Sequence, residues 1–155
     1  MEKEQQPRIV EVPPKMQKAW GTGKMLIATP LLVDAEVRKV KKGRLTTTTQ
    51  IMASLAKHFK TDSTCPMTTG IFLRIVAEAA EEDRANGKKR IAPYWRVLKS
   101  DGSLNEKYPG GVQAQAAKLK AEGHALEPAV GTRPALSVKG KRPPKVKDFE
   151  KRLLS

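Results

Sequence analysis

A single cysteine, Cys65, in a chain of 155 residues rules out an intrachain disulfide and, with it, the small secreted folds held together by several bridges. A reducing compartment is expected. The two histidines, His58 and His124, stand apart from cysteine and from carboxylates at ligand spacing, so no metal site is expected. No stretch approaches eighteen consecutive apolar residues, and the start Met-Glu-Lys-Glu-Gln-Gln-Pro has no apolar run behind a basic end. Neither a signal peptide nor a membrane span is expected, and the location expected is intracellular: cytoplasmic at the nucleoid, or nuclear. Gly21, Gly23, Gly110 and Gly111 lack the Lys-Ser/Thr or strand-before-helix context of a phosphate loop, so no nucleotide cofactor is assigned.

What is abundant is positive charge. Thirty Lys and Arg against 16 Asp and Glu leave a formal charge of +14, which on a small protein attracts a polyanion. Nucleic acid is the first partner implied. The charge is uneven: residues 133 to 155 hold eight basic and two acidic side chains, whereas residues 1 to 24 hold five and three. The stretch from Arg133 through Lys147 is rich in Lys and Pro and reads as a flexible polycation, or as a tail that only adds solubility.

Between these ends the chain has helical punctuation. Thr29-Pro30 opens a helix whose Val33, Val37 and Val40 share a face up to Gly43. Thr47 and Gln50 have capping-box spacing before the stripe Ile51, Met52, Leu55 and Phe59, which predicts a second helix to Phe59. Pro66 and the Thr68-Thr69 pair open a third, with Ile71, Phe72, Ile75, Val76 and Ala79 in helical register until Asn86-Gly87. Ile91 to Lys99 suits a short extended segment, and Ser100-Asp101-Gly102-Ser103 a turn before Leu104, together a hairpin or wing. After Pro109-Gly110-Gly111, Val112, Ala116 and Leu119 line a closing helix that stops at Gly123. The fold class predicted is mainly α: a winged helix-turn-helix with a short β-hairpin wing and basic flexible tails. Its boundaries are an N-terminal arm at 1–24, a winged-helix domain at 25–126 and a basic, proline-rich tail at 127–155.

Several of these segments, in this order, resemble a known family. Gly43-Arg44-Leu45-Thr46-Thr47-Thr48-Thr49-Gln50-Ile51, Pro93-Tyr94-Trp95-Arg96-Val97, Ser100 to Leu104, Gly110-Gly111, Gln115, Leu119 and Glu122-Gly123 are similar to the DNA-binding domain of the alkylguanine-DNA alkyltransferases. The resemblance is greatest to their non-enzymatic, alkyltransferase-like relatives and spans roughly residues 29 to 126. In the enzymes, a Pro-Cys-His-Arg-Val signature supplies the alkyl-accepting Cys and its base. Tyr94 and Trp95 stand there, and neither offers a soft thiolate or a base poised near neutral pH, so no catalytic residue is assigned. What the resemblance implies is a protein that binds alkylated guanine in duplex DNA, probes it by base flipping and signals to other repair proteins. Two departures stand out: Thr48 holds the position of a family Tyr, and Met67 or Thr68 that of an intercalating Arg.

The site residues expected follow from this. Pro93, Tyr94, Trp95 and Arg96 are the alkyl-base pocket, since an aromatic wall restores stacking to an extruded base; alternatively one aromatic is core, and Arg96 holds the loop through backbone carbonyls. Thr47, Thr48, Gln50, Met67, Thr68, Thr69, Gly70 and Arg74 are the DNA contacts, with ordinary helix capping as the alternative for the threonines. Cys65 reads as a buried structural cysteine, and Glu78, Glu81, Glu82 and Asp83 as a solvated helix face balanced by Arg84, Lys88 and Lys89. The expected protein is a monomer that binds double-stranded DNA, with no membrane and no cofactor. A regulatory or architectural nucleic-acid binder is the competing reading.

Overall fold

The computed structural model describes residues 6–127 and 145–153. Among the described residues the fold is mainly α, with three small sheets. Strand β1 (Arg8–Glu11) leads through a 3-10 turn and the short α1 (Gln17–Trp20) into β2 (Lys24–Ile27). Then come α2 (Pro30–Arg38), β3 (Thr46–Thr47), α3 (Thr48–Phe59), β4 (Ser63–Thr64), α4 (Pro66–Ala85), β5 (Val97–Leu98), α5 (Gly111–Ala121), β6 (Leu126–Glu127) and β7 (Lys145–Val146). Among the described residues no helix is long and apolar enough to cross a membrane.

The helix starts follow the sequence punctuation. Thr29 Oγ1 accepts from the Leu32 amide at 3.3 Å ahead of Pro30, and Thr47 Oγ1 accepts from the Gln50 amide at 3.2 Å. Each cap satisfies a donor that the first helical turn leaves unpaired, worth about 1 kcal/mol. α3 ends at Lys60 in a left-handed conformation, φ 57°, and α4 runs into Asn86 and Gly87, the latter at φ 81°. Val33 and Val37 of α2, Ile51 and Leu55 of α3, Leu73, Val76 and Ala80 of α4 and Leu119 of α5 meet in one core.

Three expectations are corrected. Residues 1–24 are not simply an arm: β1 pairs antiparallel with β2 from Arg8 opposite Ile27 to Glu11 opposite Lys24, and β2 continues in parallel to β4. Val12, Met25 and Cys65 are buried together in a second, smaller core beneath that sheet. Amphipathic alternation over four residues was too short a signal to separate this strand from an arm.

The wing is also different. Residues 94–96 form a 3-10 turn, closed by the Arg96 amide on the Pro93 carbonyl at 3.0 Å, and only Val97 and Leu98 are extended. β5 pairs in parallel with β3, Thr46 opposite Val97, and not with the Leu104 segment. Ser103 instead bridges to Lys145. The strand-forming residues are those expected, but their pairing partner lies fifty residues earlier in the chain, which local pattern cannot reveal.

The end of the chain is the third. β7 pairs antiparallel with β6, Leu126 opposite Val146, and Val146 and Phe149 are in the main core. Arg44 Nη2 donates to the Leu153 carbonyl at 2.7 Å. Phe149 packs over Gly102, whose φ of 87° and lack of a side chain leave room for the ring. Of the basic run from Arg133 through Lys147, read as a flexible polycation, residues 133–144 lie outside the described residues, and residues 145–153 are a structural clasp.

Candidate nucleic-acid interface

α3 and α4 are joined by six residues, Lys60 to Cys65, with the turn held by the Thr61 amide on the Ala56 carbonyl at 2.9 Å. Leu73, Val76 and Ala77 turn one side of α4 inward. The opposite side of its first half stays open: Met67 is 61% exposed and Ile71 53%, and Gly70 and Arg74 are exposed with them. Positions 67, 70, 71 and 74 fall one helical turn apart on a common face. Arg74 reaches only Glu78, at 3.7 Å and with both side chains more than half exposed.

The threonines are placed otherwise. Thr69 is buried and its hydroxyl donates to the Cys65 carbonyl at 2.7 Å, while the half-buried Thr68 donates to the same carbonyl at 3.4 Å. Thr47 is buried as the cap of α3, and Thr48 is half-buried. Gln50 accepts from Thr46 Oγ1 at 3.0 Å. Of the eight positions expected to touch DNA, then, Met67, Gly70 and Arg74 form the open face, and Thr47 and Thr69 spend their hydroxyls on the fold.

Pro93 and Tyr94 are buried, and Tyr94 is 1% exposed. Its ring meets Trp95 and Tyr108 edge to face, at centroid distances of 5.3 and 5.2 Å, and its hydroxyl donates to Glu81 Oε2 at 2.6 Å. Burial, then the hydrogen bond and the charge of Glu81, push the Tyr94 hydroxyl above its ordinary pKa. Tyr94 therefore acts here as a core residue. Burial likewise raises Tyr108. Arg96 donates to the Val40 carbonyl at 2.7 Å and forks onto Glu122, with Nη2 to Oε2 at 2.7 Å and Nε to Oε1 at 3.0 Å. It ties the loop to α5 and to the end of α2, which is the backbone-holding role.

Trp95 is buried as well, 9% exposed and in the same core, but one side of it borders open space. A shallow groove of about 410 Å³ runs past Trp95, lined by Lys42, Arg84, Ala117, Lys118, Ala121 and Glu122. Trp95 Nε1 donates to Glu122 Oε2 at 3.1 Å, which fixes the indole edge-on to α5. Lys118 Nζ and the Arg84 guanidinium lie 5.5 and 6.0 Å from the ring centroid, within cation–π range. Burial alone would raise the pKa of Glu122, but hydrogen bonds from Arg96 and Trp95 and the Arg96 charge outweigh it and hold the carboxyl below its usual range.

Two residues outside the expected pocket and DNA contacts, Glu81 and Gln115, complete this site. Glu81 was grouped with a solvated face, yet it turns inward to Tyr94 while Glu78 and Glu82 stay exposed. Gln115, buried at 1%, accepts from the Asn105 amide at 2.8 Å and donates to the Trp95 carbonyl at 3.0 Å. Its signal was a polar residue on the apolar face of the closing helix. Cys65 is buried, as expected of a structural thiol. Among the described residues no group of three or more His, Cys, Asp or Glu is arranged to hold a metal.

No protein-family model matches the sequence, and no curated protein matches it. Among solved structures, the chain is similar to S. pombe Atl1, in its crystal structure in complex with damaged DNA containing O6-carboxymethylguanine, with a TM-score of 0.49, 15% identity, and coverage of 81% of this chain and 94% of that one.

Proposed function

We propose that this is a non-enzymatic protein that binds duplex DNA through a helix-turn-helix formed by α3 and α4, recognises alkylated guanine by base flipping, and signals the lesion to DNA repair proteins. The observation that carries DNA binding is the open face of α4, where Met67, Gly70, Ile71 and Arg74 are exposed on a helix that follows another after a short turn, in a chain of charge +14. The lesion part rests on the resemblance of the Pro93–Val97 segment and on Trp95, which borders a shallow, open groove. No alkyl transfer is assigned, because the resemblance sets Tyr94 at the acceptor position and Cys65 is buried. Binding to matched duplexes with and without one O6-methylguanine tests the reading, and a Trp95→Ala variant should lose about 1 to 3 kcal/mol more on the alkylated duplex than on the unmodified one, beyond the stability lost by emptying a core position.

A second reading, an architectural nucleic-acid binder without lesion recognition, is favoured by one distance. Met67 and Arg84 are seventeen residues apart on α4, about 25 Å along its axis. A base extruded at Met67 would have to travel that far to meet Trp95. Equal affinity for the two duplexes selects this second reading.

A further inference from the structure

The groove beside Trp95 carries more positive charge than the carboxylates facing it among the described residues can balance. Arg96, Arg84 and Lys118 all lie within about 6 Å of one indole ring, and Lys42 lines the same groove. Against these four cations stand two carboxylates. Glu122 is spent on Arg96, at 2.7 Å, and on the indole N–H. Glu81 is spent on the Tyr94 hydroxyl at 2.6 Å and stands 3.7 Å from Arg84 and 3.8 Å from Lys118, too far for a short charge-assisted hydrogen bond to either. Two positive charges are left over.

One of those charges is also held in place, while Arg84 is half exposed and Lys42 is exposed. The Lys118 side chain is only 19% exposed, so its ammonium is kept in the groove and not free to swing into solvent. Exposed like charges ordinarily spread apart; here an aromatic face holds two of them together. An oxyanion entering the groove would meet Lys118, Arg84 and Lys42 from different elements, α5, α4 and the loop after α2, over an apolar floor of Trp95, Ala117 and Ala121.

We infer that the Trp95 groove is an oxyanion-binding site for a group carried on nucleic acid, either a backbone phosphate or a carboxylate borne by a modified base. The inference does not depend on lesion recognition, since a phosphate of undamaged DNA would satisfy it.

The test uses the full chain with Lys118→Gln and Arg84→Gln, singly and together, and with Lys118→Arg as the charge-keeping control. Inorganic phosphate is titrated calorimetrically at constant ionic strength. Three duplexes follow: one unmodified, one with a guanine whose O6 substituent ends in a carboxylate, and one with its neutral amide isostere. Phosphate should bind saturably to the parent and to Lys118→Arg, and about tenfold more weakly to Lys118→Gln. If a backbone phosphate is the occupant, the double variant loses affinity on all three duplexes, and its salt slope falls by about two. If an adduct carboxylate is the occupant, it loses only the preference for carboxylate over amide. Should the folded variants bind phosphate and all three duplexes as the parent does, the inference is overturned. An O6-methylguanine duplex, run alongside, reports separately on lesion recognition: no preference for it over guanine would end that reading and leave the oxyanion site standing.

Discussion

The indole Nε1 of Trp95 donates to Glu122 Oε2 at 3.1 Å, a bond from the 3-10 turn that follows Pro93 to the end of α5. The polar edge of the ring is thereby committed to the fold, while Arg84, Arg96 and Lys118 lie 5.5 to 6.0 Å from its centroid. Arg96, the next residue, makes the same carboxylate its partner, so one acidic side chain sets the position of two of the four residues in the Pro93–Arg96 loop.

Acid should therefore loosen the loop. Because the folded-state pKa of Glu122 is depressed, its contribution is fully present above the unfolded-state value and is lost as pH falls through the folded value. In Glu122→Gln, the stability lost between neutral pH and the acid side of the carboxylate range should be smaller than in the parent. Glu122→Ala should lower stability at neutral pH by about 3 kcal/mol, since it strands the Arg96 guanidinium with a side-chain exposure of 13%. Denaturant unfolding across pH measures both.

Tyr94 and Trp95 should separate under mutation. Tyr94→Ala empties a fully buried site and should cost about 3 to 5 kcal/mol of stability, lowering affinity for every duplex together. Tyr94→Phe removes only the bond to Glu81, a loss of about 1 kcal/mol. Trp95→Ala should act on alkylated duplex above its effect on stability. Melting points measured beside affinities distinguish the two, and a uniform loss at Trp95 would return it to the core.

On α4 the contrast is between Arg74 and Thr69. Arg74→Ala should leave the melting point near that of the parent and reduce the salt dependence of duplex binding by about one counterion. Thr69→Val should do the reverse, costing about 1 kcal/mol of stability through the lost bond to the Cys65 carbonyl while the salt slope stays the same.

The C-terminal clasp predicts that chain ending at residue 144 is markedly destabilised, because Val146 and Phe149 leave the main core. Gly102→Ala should mimic part of that loss, since the new methyl meets the Phe149 ring and φ stays positive. Changing Arg133, Lys139, Lys141 and Arg142 to Gln should instead lower the salt slope of DNA binding without changing the melting point. Thermal unfolding and salt titrations check the three.

Incubation with alkylated duplex should leave the intact mass of the protein unchanged. Cys65 is buried between the sheet and the start of α4, where no alkylated base can reach its sulfur. An added alkyl group on Cys65 would overturn the non-enzymatic reading.

The sequence by itself determined where α2 to α5 begin, although α2 stops at Arg38 and not at Gly43 and the short α1 left no signal. Thr29-Pro30, Thr47 with Gln50, Cys65-Pro66 and Asn86-Gly87 act within one turn of the chain, and a cap or a stop needs no distant partner. It also determined that Cys65 could pair with no second cysteine and that the chain would carry the charge of a polyanion binder. What only the tertiary structure decided are the pairings between residues far apart. Val97 joins Thr46 rather than Leu104, Phe149 returns from the far end to lie on Gly102, and Glu122 closes on Trp95 and Arg96. The same holds inside the carboxylate cluster, where Glu81 faces Tyr94 and its neighbours face solvent. A helical period says which residues share a face; which faces become buried depends on the elements that pack against them, and that is a property of the whole fold.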